Sequence, residues 1–187
     1  LKDLTCLLNE LRAAGAADRP DDVELLDVTR MCNGLVQTFA EYAETHKVGY
    51  RTEVGEGMLF PSARGTLSMV LNIVLSNAFR RSETGGEVFF GVSVVQDRLR
   101  VVVSNRGKGV YLGQIEFLSD RYRLLDYLES RGKGGLSQKG DMELAICHNL
   151  AAKLGGEFRI ASEGDVTTVT LSFPELEIAR VTQPVLQ

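Results

Sequence analysis

The stretch VVVSNRGKGV at residues 101–110 decides the fold of this chain, and the other segments are best understood from it. Its run of valines indicates a buried strand, and Gly107 and Gly109 indicate a turn directly after that strand. Glycines at this spacing let the backbone adopt positive φ and approach a bound molecule. A rigid strand followed by a turn that exposes backbone N–H groups is a common ligand-binding arrangement. Two glycines by themselves indicate no more than a turn, so the flanking segments decide between the two interpretations.

The composition is that of an ordinary globular chain. Of its 187 residues, 44% are apolar and 25% are charged, an ordinary globular balance, and the length suits one domain or one domain with an appendage. The net charge of −4, without a basic run, argues against nucleic acid as the main partner. Cys6, Cys32 and Cys147 are scattered and form no CxxC pair, which argues against both a zinc site and a disulfide framework and suits a reducing compartment. No apolar run approaches membrane-spanning length. Because the chain starts without Met inside a predicted helix, we expect it to be part of a longer protein.

Apolar residues at spacings of three and four predict the helices. The predicted helical segments are residues 1–14, 28–46, 66–81 and 144–154, with residues 115–130 helical in part. Asp27 can cap the second of these helices. The third has the most complete apolar stripe, which consists of Leu67, Val70, Leu71, Val74, Leu75 and Ala78. A different face of that helix carries Ile73, Asn77, Arg80 and Arg81. His46 and His148 are expected on helix surfaces.

Alternating or continuous apolar residues between turn signals predict the strands. The predicted strands are residues 23–26, 48–54, 88–95, 99–104, 157–162 and 166–173. Residues 15–22 are expected to form a linker, residues 55–61 a loop, and the glycine-rich basic segment 131–140 a mobile loop. This order of elements predicts an α+β two-layer sandwich, in which about three helices cover one face of a mixed, mostly antiparallel sheet.

Four segments around the opening stretch occur in a recognisable order. They are LSNAFRRS at 75–82, NRGKGV at 105–110, DMELAICHNLAAKLGGEFRI at 141–160 and TTVTLSFP at 167–174. In this order they resemble the N-box, the two glycine boxes and the closing hairpin of the ATP-binding catalytic domain of sensor histidine kinases, in the wider GHKL family with gyrase and Hsp90. The resemblance covers residues 22–174 and implies a Bergerat-type ATP-binding (HATPase) fold. SDRYRLLDYLES at 119–130 further resembles the hybrid sensor kinases of gut Bacteroidetes.

The resemblance implies Mg-ATP as the ligand. The N-box Asn77 would supply a neutral oxygen to Mg²⁺, and Arg80 or Arg81 would neutralise phosphate charge. Asn105 stands where the family has a carboxylate that binds adenine, and its side-chain oxygen can also accept a hydrogen bond. The implied nucleotide-binding residues are Asn77, Arg80, Arg81, Asn105, Gly107, Gly109, Val110, Gly140, Met142, Leu144 and Thr168. The phosphoacceptor histidine is expected upstream, so no catalytic residue is expected within this chain.

Three departures from the family bear on activity. Ile73 replaces a polar residue one turn before Asn77, and Asn105 replaces an aspartate, which removes the charge from the bond to adenine. Asp141 and Glu143 replace both glycines of the second glycine box. A like-charge pair at ~4 Å costs on the order of 1 to 4 kcal/mol, a loss of roughly tenfold to a thousandfold in affinity for a triphosphate. Basic residues of the preceding segment are expected to offset part of this repulsion; they are Arg131, Lys133 and Lys139.

The resemblance also implies a context for the chain. Residues 1–18 would be the end of a dimerisation helix and a linker, residues 19–176 the ATP-binding domain, and residues 177–187 a C-terminal tail. The expected partners are the protein's own dimerisation helices in a homodimer and a receiver domain or response regulator, with no nucleic acid and no direct membrane contact. The expected location is the cytoplasmic portion of an inner-membrane sensor.

Two functions stay open at this point. One is a histidine kinase of a two-component phosphorelay, which the order of the boxes favours. The other is a scaffold domain of the same fold with weak or no nucleotide binding, which the substitutions at Ile73, Asp141 and Glu143 favour.

Overall fold

The computed structural model describes residues 23–107 and 139–176, with residues 139–142 described by their secondary structure alone. The elements in chain order are β1 (Val23–Asp27), α1 (Val28–His46), β2 (Gly49–Val54), β3 (Leu59–Ala63), α2 (Arg64–Arg81), β4 (Glu87–Val95), β5 (Arg98–Arg106), α3 (Lys139–Lys153), β6 (Glu157–Glu163) and β7 (Val166–Pro174). The predictions for residues 1–14, 15–22 and 115–130 lie outside the described residues.

Five strands form one sheet in the order β2-β4-β5-β7-β6. β2 pairs with β4 in parallel, and the other pairings are antiparallel. The prediction of a mixed, mostly antiparallel sheet is therefore confirmed. β5, which contains the first part of the opening stretch, has hydrogen-bonded neighbours on both sides and forms the centre of the sheet.

One face of the sheet is buried beneath the helices. Along β5 the alternate residues Leu99, Val101 and Val103 are at most 2% exposed, because successive side chains of a strand point to opposite faces. Phe90 of β4 and Leu171 of β7 are fully buried on the same face. Apolar side chains from all three helices join them in one hydrophobic cluster. The predicted two-layer α+β sandwich is therefore confirmed.

The predicted loop over residues 55–61 is partly wrong, because its end belongs to β3. This strand pairs with β1 in a separate two-stranded antiparallel sheet, with Leu26 opposite Phe60. Both side chains are at most 1% exposed, so their burial holds the strand pair on the core. Pro61 obscures the strand in the sequence, since proline lacks an N–H and usually interrupts a ladder. Here its carbonyl accepts a hydrogen bond from the N–H of Leu176 at 3.2 Å.

α1 begins where the sequence predicts and supports α2. A side-chain oxygen of Asp27 accepts a hydrogen bond from the N–H of Arg30 at 2.8 Å, which confirms the predicted cap. Lys47 adopts the left-handed conformation, with φ 53°, and ends the helix. The ring of Phe39 stacks on that of Phe79 in α2 with centroids 5.2 Å apart. α1 therefore fixes the C-terminal half of α2.

α2 begins at Arg64, earlier than predicted, and is buried on nearly every side. The predicted apolar stripe is buried, and so are Ile73, Asn77 and Arg81 on the face that the sequence assigns to a polar edge. The reason is α3, which packs along that helix and contributes a weak contact from the thiol of Cys147 to the carbonyl oxygen of Val70 at 3.9 Å.

α3 begins at Lys139 rather than at the predicted Leu144. Lys139 and Gly140 are therefore helical instead of belonging to the predicted loop over residues 131–140. The rest of that loop lies outside the described residues.

Candidate functional site

The end of β5 and the end of α2 meet at Gly107. Gly107 forms an isolated antiparallel bridge with Ser82, and its N–H donates to the carbonyl oxygen of Asp165 at 2.8 Å. Its φ is 157°, and a Cβ at this position would overlap the carbonyl oxygen of Arg81. Only glycine allows this approach. Gly107 thus joins three chain segments at one place, and this role needs no ligand.

Asn105 lies at the buried end of β5. It is 4% exposed and is opposite Val88 of β4 and Thr167 of β7, on the face that carries the helices. Its amide nitrogen Nδ2 is buried and makes no hydrogen bond within residues 23–107 and 143–176. Buried polar atoms nearly always have a partner, so a donor left unsatisfied at the edge of a core indicates a position where a ligand can bind.

The register of β7 separates Thr167 from the predicted Thr168. Thr167 is 3% exposed on the buried face beside Asn105, and its hydroxyl lies 3.4 Å from that of Ser162. Thr168 is opposite Ser104 and Ala161 on the other face of the sheet. The geometry therefore favours Thr167 as the residue of this pair that contributes to the site.

The N-box residues occupy the last turns of α2. Asn77 and Arg81 are 4% and 7% exposed, and both residues take part in interactions within the protein. The side chain of Arg80 is 30% exposed. Asn77 and Arg81 lie one turn apart on the same helix, so this end of α2 presents an amide and two guanidinium groups close to the Gly107 junction.

A magnesium ion suits Asn77 if phosphate and water complete its coordination. Mg²⁺ prefers oxygen ligands and commonly takes only one or two of them from protein, with the rest from phosphate and water. The structure, in the residues it describes, has no group of three His, Cys, Asp or Glu side chains that could hold a metal ion. The amide oxygen of Asn77 is a ligand of the required kind, and it lies next to two cationic side chains.

Glu143 of α3 is held by Arg80 in an ion pair between the two helices. Arg80 Nη1 donates to Glu143 Oε1 at 3.0 Å, and Nη2 contacts Oε2. The Glu143 side chain is 10% exposed. Burial, and secondarily the charge of Arg81, lower the pKa of the Arg80 guanidinium. The sequence predicts repulsion between Glu143 and phosphate but not this partner, because the pairing depends on how α2 packs against α3.

Leu144, which the resemblance includes among the nucleotide-binding residues, is fully buried in the core. Its role in the structure is to pack α3 on the domain. Gly140 lies in the first turn of α3. Gly109, Val110 and the side chains of Asp141 and Met142 fall outside what the structure describes, as do Arg131 and Lys133.

Burial alters the acidity of two cysteine thiols and of one histidine. Burial raises the pKa of the Cys32 thiol to about 12 and raises that of Cys147 further, so both are small buried side chains rather than reactive groups. His46 lies on the surface as predicted and stacks on Tyr42. The surface position predicted for His148 is only partly correct, because the residue is half-buried: its ring packs edge-on against Phe158, and burial lowers its pKa. Its Nδ1 has no hydrogen-bond partner among the described residues.

The concave surfaces found elsewhere are not lined by these residues. One, of about 490 Å³, lies on the outer face of the sheet beside Phe89 and Arg100. Another, of about 560 Å³, lies beside the start of α1 and includes Thr29. Among the described helices, none has the length and apolarity needed to cross a membrane.

Comparison with known sequences identifies the family. Residues 63–177 match the family described as histidine kinase-, DNA gyrase B-, and HSP90-like ATPase. The sensor-like histidine kinase SenX3 of Mycolicibacterium smegmatis is 27% identical over 176 residues, which are 94% of this chain and 45% of that protein. The sensor histidine kinase WalK of Bacillus subtilis is 26% identical over 177 residues, 91% of this chain and 28% of that protein. The chain spans less than half the length of these two relatives.

Solved structures share the fold. Full-length ShkA in complex with AMPPNP has a TM-score of 0.70 at 18% identity, covering 94% of this chain and 36% of that one. The histidine kinase AdeS of Acinetobacter baumannii has a TM-score of 0.69 at 17% identity, covering 93% and 78%. The family match spans α2, β5, α3 and β7, the elements that carry Asn77, Asn105, Glu143 and Thr167. This chain therefore belongs to the family of histidine kinase-, DNA gyrase B-, and HSP90-like ATPases.

Proposed function

We propose that this domain binds Mg-ATP and transfers the γ-phosphate to a histidine side chain on a dimerisation helix of the same protein. The observation that carries the proposal is the buried amide of Asn105, whose Nδ2 makes no hydrogen bond to any residue that the structure describes. A nucleobase edge has both donors and acceptors and is planar, so it can satisfy this amide while filling the space at the end of β5.

The base end of the site is assigned to Asn105 and Thr167. The Asn105 amide accepts from the exocyclic amino group of adenine through Oδ1 and leaves Nδ2 to a ring nitrogen or a water. Thr167, at the opposing register position, supplies a hydroxyl on the same face of the sheet. Both groups are fixed by strands with paired neighbours, which positions a base with little loss of side-chain entropy.

The phosphate end is assigned to the last turns of α2. Asn77 supplies an amide oxygen to Mg²⁺, and Arg81 with Arg80 supplies positive charge to phosphate oxygens. The bound metal would neutralise charge on the phosphates during transfer. In that transfer the bond from the γ-phosphorus to the bridging oxygen breaks, a bond to the acceptor imidazole nitrogen forms, and ADP leaves. The residues of this chain bind and orient the donor.

We infer the wider context from the sensor kinases that the chain resembles. Residues 1–18 are then the end of a dimerisation helix and its linker, residues 19–176 the ATP-binding domain, and residues 177–187 a tail. The full-length protein would be a homodimer with a receiver domain or response regulator as partner. This domain would lie on the cytoplasmic side of an inner-membrane sensor.

Titration calorimetry of the 187-residue chain with Mg-ADP and Mg-AMPPNP tests the proposal. We expect binding between micromolar and sub-millimolar strength, abolished by Asn105→Leu and by Asn77→Ala. Asn72→Ala is the matched control on α2, since the Asn72 side chain donates to its own helix at the carbonyl of Ser68. Thermal unfolding of each variant shows whether the fold is intact.

Absence of heat up to millimolar nucleotide, in a folded wild-type chain, would contradict the proposal. The domain would then be a scaffold of the same fold. Binding that survives Asn105→Leu in full would place the base elsewhere.

A further inference from the structure

We propose that Glu143 is a specificity-determining residue of the nucleotide site: it holds Arg80 in an internal ion pair and so lowers the affinity for the phosphate chain without affecting the base. The inference rests on the proposed function. It concerns a residue whose partner is visible only in the packing of α2 against α3.

The ion pair uses both ends of the arginine fork. Nη1 donates to one carboxylate oxygen at 3.0 Å and Nη2 contacts the other, so the guanidinium and the carboxylate face each other in the bidentate arrangement. A phosphate group would seek the same arrangement of donors. The Glu143 carboxylate therefore occupies the surface of Arg80 that suits a phosphate best.

Because the ion pair is largely buried, separating Glu143 from Arg80 is unfavourable. The side chain of Glu143 is 10% exposed and that of Arg80 is 30% exposed, so the carboxylate has little contact with water when the pair forms. If Arg80 turned to a phosphate, Glu143 would be left as a buried charge without its partner, which is unfavourable. If the pair persists, a phosphate meets a guanidinium whose charge is already matched. Both cases lower phosphate affinity.

The pair is not needed to hold α3 in place. α3 is fixed by apolar packing, with Leu144, Ile146 and Ala151 fully buried, and by the Cys147 contact with α2. Glutamine has nearly the volume of glutamate and can still accept a hydrogen bond from Arg80. The substitution Glu143→Gln therefore removes the charge and keeps the packing.

The experiment measures adenosine, Mg-ADP and Mg-ATP binding to the wild-type chain and to Glu143→Gln. Adenosine affinity should be unchanged, because adenosine carries no phosphate. Affinities for Mg-ADP and Mg-ATP should rise about tenfold, the gain expected when one charged hydrogen-bonding group becomes available. Glu83→Gln is the matched control, since Glu83 is an exposed carboxylate just beyond the end of α2.

A second variant separates the ion pair from a general charge effect. In an Arg80→Gln background the change Glu143→Gln should raise phosphate affinity by much less, because no guanidinium is released. An equal rise in both backgrounds would overturn the role of Arg80 and leave simple repulsion by Glu143.

The outcomes distinguish this inference from the function on which it rests. Equal affinities of wild type and Glu143→Gln for Mg-ADP and Mg-ATP would overturn the inference alone. A parallel rise for adenosine would also overturn it, since the substitution would then act through the shape of the whole site. Absence of binding of all three ligands by both proteins would overturn the proposed function and this inference together.

Discussion

The two ends of the candidate site differ in whether their polar groups are paired within the described residues. At the end of β5, the amide nitrogen of Asn105 is buried and makes no hydrogen bond in the part of the chain that the structure describes. Between α2 and α3, the charges of Arg80 and Glu143 are matched to each other through two contacts. A ligand at the first end adds interactions that the protein lacks, whereas a ligand at the second end has to exchange with one that is already formed.

This difference changes how the substitutions in the sequence are understood. Because Asn105 stands where the family has an aspartate, this buried position carries no charge but can still form hydrogen bonds. Glu143 adds a charge, but the structure pairs that charge, so repulsion of a phosphate is weaker than an isolated carboxylate would give. At this end, the phosphate affinity is lowered instead because Arg80 is already paired with Glu143.

The substitution with the largest expected effect is Gly107→Ala, which would separate the two ends. The added Cβ overlaps the carbonyl oxygen of Arg81, and the φ of 157° disfavours any other residue. Overpacking and the unfavourable φ together should lower the free energy of unfolding by about 4 kcal/mol. Urea denaturation followed by circular dichroism measures this change.

Gly85→Ala is the matched control for this substitution. Gly85 also has positive φ, 81°, but a Cβ there meets nothing within 4 Å. Its cost should be about 1 kcal/mol. Similar losses in both variants would show that backbone conformation, rather than contact with α2, makes Gly107 necessary.

The second-largest effect is expected from Leu144→Ala in the first half of α3. Leu144 follows Glu143 directly and is fully buried. Leu144→Ala should lower the free energy of unfolding by about 3 kcal/mol, through lost apolar burial and the cavity it leaves. Leu25→Ala in β1 is the control: Leu25 is 54% exposed, so its loss should change stability little. A small loss for Leu144→Ala, together with loss of nucleotide binding, would restore the ligand-contact role that the resemblance implies.

Local patterns in the sequence predict most of the fold. The Asp27 cap, the apolar stripe of α2 and the valines of β5 are each determined by neighbouring residues, and each appears in the structure. β3 is missed because Pro61 interrupts its pattern, although the proline is tolerated where only one ladder is needed.

The site depends more on tertiary packing and is predicted less completely. Thr167 and Thr168 are adjacent, and a shift of one residue along a strand moves a side chain to the other face, so the choice between them needs the register with β5. Arg80 and Glu143 are on different helices, 63 residues apart in the chain, and no local spacing indicates that they pair.

The next largest effect is expected from a substitution that adds a charge to the base end, as Glu143 does at the phosphate end. Asn105→Asp places a carboxylate at a position that is 4% exposed. Without a ligand at pH 7, the buried charge should lower the free energy of unfolding by about 2 kcal/mol. Burial favours the protonated acid, so the loss should shrink as the pH falls toward 4.5. Urea denaturation at both pH values checks this, and an unchanged stability at pH 7 would mean that the Asn105 position is well solvated.

The smallest expected effect is that of protonating His148, on the side of α3 that faces β6. Glu143 of the same helix is paired with Arg80, whereas His148 has no charged partner in the described residues. Burial lowers its folded pKa below the ordinary value, and Nδ1 accepts or donates no hydrogen bond within the described residues. Between the lowered and the ordinary pKa, the unfolded chain binds more protons than the folded one, so stability falls as the pH drops below about 6.5. Because the ring is only half buried, this contribution should stay below about 1 kcal/mol. Urea denaturation of the wild type and His148→Gln at pH 7 and pH 5.5 isolates it, since the variant keeps every other titrating group. The difference in stability between the two pH values should be smaller for His148→Gln. An equal difference would mean that the neutral ring is not favoured by the fold, and that α3 tolerates charge on this side as well as on the side of Arg80.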